Sequence, residues 1–471
     1  MTNSVNQNYK SFVARKFSWL LLGRVLPVLV LFLITIIYSR KLSYDDYGKF
    51  QSVWMYVNII NVVISFGIST VILSTNLNFL FSFIRNNKKK LSVFFSILWI
   101  SVLIIFFLFA KNFNVSLKFL LIAFIIIQNI STVAETLLIK QQGEKISFVI
   151  NMIYSFLFFG WHLYLLFNNY SLYYLISGIC GLSVLKLLAM ILIPGKKESY
   201  EEVIDEKYFL KHWAYLGSND VLGIVSKWID KLFLLYLLTA TDFAIFFNGS
   251  FEIPLFSLLI SVTGSFLLIE ISGNAKFTGK VSELFRESFN MLSSIVFPLF
   301  FFLFFFCDEL FSFAFKDKYN ASLPIFLISI FIIPLRINNY SVILQSFGQG
   351  KKIMWGSALD IFIAILLMLI LYPIAGTRGI ALAGVIATYC QVLYYLWHSA
   401  KILNTSIFQI LPLQKLAIKF LIILALYVGL FFILKGTEIK IKLLIATIFT
   451  VIIVLTGLMK YSINFLKDAH F

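Results

Sequence analysis

At 471 residues, 60% hydrophobic and only 13% charged, with a mean hydropathy of +0.92, this chain is too apolar for a set of soluble domains. The net charge of +17 does not argue for nucleic acid, because the basic residues lie in short connections beside apolar runs, where membrane orientation accounts for them. Three unpaired cysteines (Cys180, Cys307, Cys390) and four scattered histidines (His162, His212, His398, His470) offer neither a disulfide framework nor a zinc motif, so no metal site and no catalytic residue is expected.

A membrane-crossing helix needs about 20 mostly apolar residues, and in hydrocarbon such a run must be helical to satisfy its own backbone. Fourteen stretches qualify, at roughly 17–39, 50–74, 91–110, 119–139, 146–167, 172–193, 212–238, 243–271, 289–311, 321–346, 353–371, 379–400, 413–434 and 443–459. The first is too long for a signal-peptide core and ends in Arg40-Lys41. The predicted fold is therefore an all-α polytopic membrane protein of about fourteen transmembrane helices. Lysines and arginines favour the connections on the side of the N-terminus by roughly two to one, which places both termini in the cytoplasm.

The longest connection on that side, Pro194 to Lys211, follows the sixth stretch. It divides the chain into an N-terminal six-helix lobe (1–195), a cytoplasmic linker (196–211), a C-terminal six-helix lobe (212–402) and a further helix pair with a tail (403–471). The lobes read as a repeat. The turn after the first stretch, Leu42-Ser43-Tyr44-Asp45-Asp46-Tyr47, matches that after the seventh, Leu238-Thr239-Ala240-Thr241-Asp242-Phe243, at an offset of 196 residues. Each places an Asp where it could cap the next helix. The turns at Gln141-Gln142-Gly143 and Gln345-Ser346-Phe347-Gly348 correspond more loosely. An even number of helices per lobe makes this a parallel pseudo-repeat, with a site expected between the halves.

A charge deep in a span costs about 2.5–3.5 kcal/mol even on the mild insertion scale, so each needs a counter-ion, a wet cavity or a ligand. The deep cations are Arg24, Lys186, Lys227, Lys231 and Arg336; the deep anions are Asp220, Asp230, Glu252 and Asp360. Glu135 and Glu270 lie close enough to helix ends to be discounted. On the seventh stretch Asp220, Lys227 and Lys231 fall within about 40° of one another, a stripe that must face the bundle interior. Two readings stay open. Lys227 and Asp230 could neutralise each other at i,i+3, or the stripe could line a water-filled cationic cavity for an anionic substrate, since no nearby carboxylate covers Lys231, Arg24 or Arg336. The repeat offset sets Arg24 opposite Asp220, a pair that could close such a cavity. The phenylalanine-rich run Phe297-Pro298-Leu299-Phe300-Phe301-Phe302 reads mainly as lipid-facing bulk.

The opening Leu22-Gly23-Arg24-Val25-Leu26-Pro27, with Ser39-Arg40-Lys41-Leu42-Ser43 and Asp46-Tyr47-Gly48-Lys49-Phe50, resembles the O-antigen (Wzx-type) polysaccharide flippases of the multidrug/oligosaccharidyl-lipid/polysaccharide (MOP) exporter superfamily. Trp228-Ile229-Asp230-Lys231-Leu232-Phe233-Leu234, Phe347-Gly348-Gln349-Gly350-Lys351 and Pro373-Ile374-Ala375-Gly376-Thr377-Arg378-Gly379 carry the likeness through the second half, Ala244 departing from the usual turn glycine. The resemblance implies two six-helix lobes, alternating access and a bacterial inner-membrane location. The implied cargo is an undecaprenyl-pyrophosphate-linked oligosaccharide moved to the outer leaflet, with a polysaccharide polymerase and chain-length regulator as partners besides the membrane lipids. Arg24, Lys186, Lys227, Lys231 and Arg336 would then meet pyrophosphate. Asp220, Asp230, Glu252 or Asp360 could carry a proton or sodium ion, no other cofactor being implied, or could be fixed counter-ions. The rivals are an ion-coupled multidrug antiporter of the same superfamily, whose deep sites should be mainly acidic, and a membrane-embedded polymerase or acyltransferase, which would need a large arginine-bearing outer loop or a buried catalytic histidine.

Overall fold

A computed structural model of the chain describes residues 26–110, 113–141, 143–168, 171–193, 206–250, 278–316 and 318–468, with scattered positions between 253 and 271. Helix is the dominant element throughout them, as expected of an all-α polytopic membrane protein. By internal contacts the chain forms two units, Met1–Trp228 and Ile229–Phe471.

The first unit begins with α1 (26–41) and continues with α2 (Tyr44–Ser65), α3 (Ile68–Ser74), α4 (Leu77–Asn86), α5 (Lys88–Phe109), α6 (Val115–Lys140), α7 (Glu144–Phe167) and α8 (Leu172–Ile191). α9 (Glu206–Leu237) runs 32 residues, and the division between the units falls within it. α6 is the hub, packing on α2, α3, α7 and α8. α5 is the opposite case: Ile97, Ile100, Ile104, Ile105 and Leu108 are all exposed, which in an aqueous protein would be untenable and in a bilayer is the lipid-facing surface.

The second unit comprises the end of α9, α10 (Ala240–Gly249), α11 (Thr278–Phe305), α12 (Cys307–Phe315), α13 (Leu323–Ser329), α14 (Val342–Ser346), α15 (Gly350–Leu403), α16 (Leu413–Ile433) and α17 (Ile439–Asp468). α11 is its core. Phe297, Phe300 and Phe301 are buried and pack on Phe420 of α16, with ring centroids 4.8 Å apart for Phe301. The expectation that this phenylalanine run mainly faces lipid is thus corrected: the face carrying Phe297, Phe300 and Phe301 packs into the protein core with residues of α16 and α17. α15 is a hairpin folded at Gly376, whose φ of 58° and ψ of −138° suit only glycine.

Among the described residues nine segments are long and apolar enough to cross a membrane, the folded α15 and the mixed α/3₁₀ segment Asn320–Ile337 each counting as one. The tenth expected stretch, 321–346, is not one helix. It breaks into α13, a 3₁₀ segment Ile330–Ile337 containing Pro334, and α14. Pro334 removes a backbone donor, and Asn338 beyond it is fully extended (φ −162°, ψ 165°). Asn338 is buried and donates to Ser288 Oγ at 2.7 Å and Phe285 O at 3.2 Å, so irregular backbone at this depth is tied down by α11.

The two matched turns share their capping chemistry. Ser43 accepts from the Asp46 amide at 3.1 Å while its hydroxyl donates to Asp46 Oδ2 at 2.7 Å. Thr239 does the same with Asp242, at 3.2 and 2.8 Å. The hydroxyl residue, not the aspartate, is therefore the N-cap, and the aspartate sits at the third helical position, where the dipole favours it. Closure of the later turns is also alike: Gly143 N donates to Leu138 O at 2.9 Å and Gln349 N to Leu344 O at 2.8 Å, the latter past Gly348 at φ +66°.

A polar cavity at a helix break as candidate functional site

The break between α2 and α3 builds the site. Phe66 (φ 40°) and Gly67 (φ 74°) are both left-handed, and a left-handed non-glycine residue costs about 1–2 kcal/mol, so something must hold it. Three side-chain donors take up the carbonyls freed around the break. Trp213 Nε1 reaches Phe66 O at 2.9 Å, Trp99 Nε1 reaches Ile64 O at 3.0 Å, and Asn129 Nδ2 reaches Asn61 O at 3.1 Å. α9 lies against the break backbone to backbone. A Cβ on Gly67 would stand 2.7 Å from the Gly217 Cα, and one on Gly217 would stand 2.7 Å from the Phe66 carbonyl oxygen.

One turn beyond Gly217, Asp220 accepts a hydrogen bond from Thr70 Oγ1 on α3 at 2.8 Å. It opens onto a cavity of about 370 Å³ whose polar lining is Asn61, Ser65, Ser69, Asn129, Thr132 and Asp220. Asp220 is the charged group among these lining residues. One carboxylate surrounded by amide and hydroxyl oxygens offers a cation or a proton a site, and it repels phosphate.

The other sequence-derived candidates fall out differently. Arg24 and Glu252 lie outside the described residues, and with Arg24 the expected meeting with Asp220. Lys186 on α8 is neutralised: its Nζ stands 3.1 Å from Glu135 Oε2 of α6. Asn151 and Ser147 of α7 donate to the other carboxylate oxygen, at 2.6 and 3.2 Å. Glu135, discounted from sequence as a helix-end residue, is thus the centre of a three-helix polar network. Lys231 also has a carboxylate: Asp230 Oδ2 is 2.8 Å from its Nζ. Asp230 thus has its adjacent residue Lys231 as an ion-pair partner, seated near the Phe246 ring. Lys227 is exposed, Asp360 is buried on the first limb of α15, and Arg336 is half-buried within the 3₁₀ segment at the break of the second unit.

His162 is fully buried, its Nδ1 2.9 Å from the Tyr38 hydroxyl and its ring packed on Phe158 at 4.5 Å. Its setting is aromatic (Tyr38, Phe50 and Phe158), which suits packing.

Sequence reasoning missed Asn61, Ser69, Thr70, Asn129 and the Gly67–Gly217 contact. A signal for them was present: Ser65-Phe66-Gly67-Ile68-Ser69-Thr70 concentrates small and polar residues within an otherwise apolar stretch.

The Lys186–Glu135 pair yields a direct test. Removing one member of a buried ion pair costs about 3–5 kcal/mol, whereas replacing both with apolar residues is often neutral. Lys186→Met alone should sharply lower the thermal midpoint of the purified protein, and Lys186→Met with Glu135→Leu should recover most of it. A substrate role for Lys186 would instead leave stability intact and show the loss in export.

No protein-family model matches the chain, and no curated protein is significantly similar to it in sequence. Its fold is shared with solved transporters of the MOP superfamily. The lipid II flippase MurJ, in an inward closed conformation, superposes with a TM-score of 0.67 at 16% identity, covering 95% of this chain and 98% of that one. An inward-facing multidrug resistance MATE transporter superposes at 0.55 with 11% identity, covering 82% and 99%. A MOP transporter from Pyrococcus furiosus, described as having a binding pocket of reverse polarity, superposes at 0.55 with 14% identity, covering 84% and 96%.

Proposed function

We propose that this protein is a MOP-type transporter, not an enzyme, that flips an undecaprenyl-pyrophosphate-linked oligosaccharide across the bacterial cytoplasmic membrane by alternating access. The observation that carries the proposal is the extent of the flippase likeness. It runs over 95% of the chain, where the MATE-type likenesses given above cover 82–84%. In this reading Arg24, Lys227 and Arg336 meet the pyrophosphate. Lys186 and Lys231, ion-paired with Glu135 and Asp230, serve structure in this reading. Asp220 and its cavity bind the coupling proton or sodium ion.

Lys227 and Lys231 separate cargo contact from packing. A charge-assisted hydrogen bond contributes about 1.5–3 kcal/mol, so Lys227→Ala should reduce export about 10- to 100-fold at normal membrane levels. Lys231→Ala should lower the amount of folded protein, and Asp230→Ala on the same chain should restore it. Quantifying lipid-linked oligosaccharide that accumulates in cells, alongside membrane protein levels, reads both. Unchanged export in Lys227→Ala removes this lysine from the cargo site.

A second reading has one observation in its favour. The cavity at Asp220 has an anionic lining, as a carrier of cationic drugs would need. Under that reading the cell would resist cationic dyes and accumulate no lipid-linked sugar.

A further inference from the structure

We propose that the two open ends of the α15 hairpin form a site for the phosphate headgroup of an anionic glycerophospholipid, with Lys352 and Lys401 as its cations and Trp397 as its aromatic wall. The fold brings these residues together from opposite ends of a 54-residue element. The chain reverses at Gly376, and the limbs then pack closely: the Tyr395 hydroxyl donates to Ile353 O at 3.0 Å, and Gly356 leaves room for the Tyr395 ring. Lys352, next to Ile353, and Lys401, a turn and a half past Tyr395, therefore lie at the same end. His398 stands at this end too, its ring packed on Trp397 at 4.6 Å.

Three features distinguish this end from an ordinary basic connection. First, among the described residues neither Lys351, Lys352 nor Lys401 has a carboxylate within ion-pair distance. Like charges gathered without a counter-ion repel one another, and an anion supplied from outside relieves that. Second, the Lys401 ammonium lies 3.9 Å from the centre of the Trp397 ring, which fixes it in place by cation–π attraction. Third, Trp397 is 48% exposed and Trp355 on the other limb is 55% exposed. Half-exposed tryptophans at the ends of membrane-crossing helices sit at headgroup depth, where the phosphate of a lipid is the anion at hand. A lipid fits better than a free anion, because the exposed indole faces would cover its glycerol and upper acyl carbons.

Native mass spectrometry of the full-length protein, delipidated and then offered phosphatidylglycerol or phosphatidylcholine, tests the proposal. The wild type should retain phosphatidylglycerol in preference. At about 1 kcal/mol per lysine near the headgroups, each of Lys352→Gln and Lys401→Gln should lower that retention about fivefold, and the double variant more. Phosphatidylcholine retention should stay the same in all, which also shows that the variants are folded. Equal retention of both lipids by the wild type overturns the proposal, as does phosphatidylglycerol retention that survives the double substitution. Displacement of phosphatidylglycerol by inorganic phosphate, at an ionic strength where chloride has no effect, would also overturn it by making the site one for free anions.

Discussion

Asp220→Asn is expected to reduce export about 10- to 100-fold while leaving the protein folded and in the membrane. The substitution keeps the shape of the side chain and its capacity to accept from Thr70 Oγ1, so the α3–α9 contact survives. What it removes is the charge in a cavity otherwise lined by Asn61, Ser65, Ser69, Asn129 and Thr132. Neutral amide and hydroxyl oxygens can complete the coordination of a small cation but supply no net attraction, and an amide cannot take up a proton near neutral pH. Losing one charge-assisted interaction worth about 1.5–3 kcal/mol sets the size of the effect. Thr70→Val provides the control. It removes the hydroxyl and keeps the carboxylate, so it should cost several-fold at most. Export assayed against imposed proton and sodium gradients checks both, and full gradient dependence in Asp220→Asn would exclude this residue from coupling.

Gly217→Val is expected to have the largest effect on stability. The space for its Cβ is already taken by the Phe66 ring and carbonyl oxygen, both at 2.7 Å, and the carbonyl belongs to a backbone held by Trp213. Overpacking in a well-filled interior costs about 1–3 kcal/mol when side chains can yield. Here backbone must move, so the loss should reach or exceed the top of that range. Gly67→Ala should be nearly as severe, because it adds a backbone clash with Gly217 to a φ of +74° that alanine tolerates poorly. Gly223→Ala on the same helix, where nothing lies within 4 Å of an added Cβ, should be close to neutral. Thermal midpoints of the purified variants in detergent should therefore rank Gly223→Ala above Gly67→Ala, with Gly217→Val lowest.

The helices were legible in the sequence because a bilayer leaves a long apolar run a single backbone solution. The likeness of the two turns was legible for a similar reason: Ser43 with Asp46 and Thr239 with Asp242 are local caps, and local chemistry is written in adjacent residues. What the sequence could not show was which helix faces which. Helical periodicity gives the face on which Lys186 stands but not that Glu135, 51 residues earlier, stands opposite it. Nor does it give Thr70, 150 residues before Asp220. Glu135 was passed over because its distance from a helix end is an argument about cost. Its three hydrogen-bonding neighbours, which meet that cost, come from helices that only the fold brings together. The break at Phe66–Gly67 was only faintly marked: Ser65, Gly67, Ser69 and Thr70 interrupt an apolar stretch, but nothing adjacent in sequence shows that Phe66 turns left-handed with Gly67.

The measurement that bears most directly on the account is lipid translocation by the purified protein in liposomes. A fluorescent undecaprenyl-pyrophosphate-linked oligosaccharide would be confined at the start to the leaflet away from a membrane-impermeant quencher. The account predicts protein-dependent movement of the label into the quenched leaflet, strongly slowed in Lys227→Ala and Asp220→Asn and near normal in Lys186→Met with Glu135→Leu. Extrusion of a cationic dye by the same liposomes, with no movement of the labelled lipid, would contradict it.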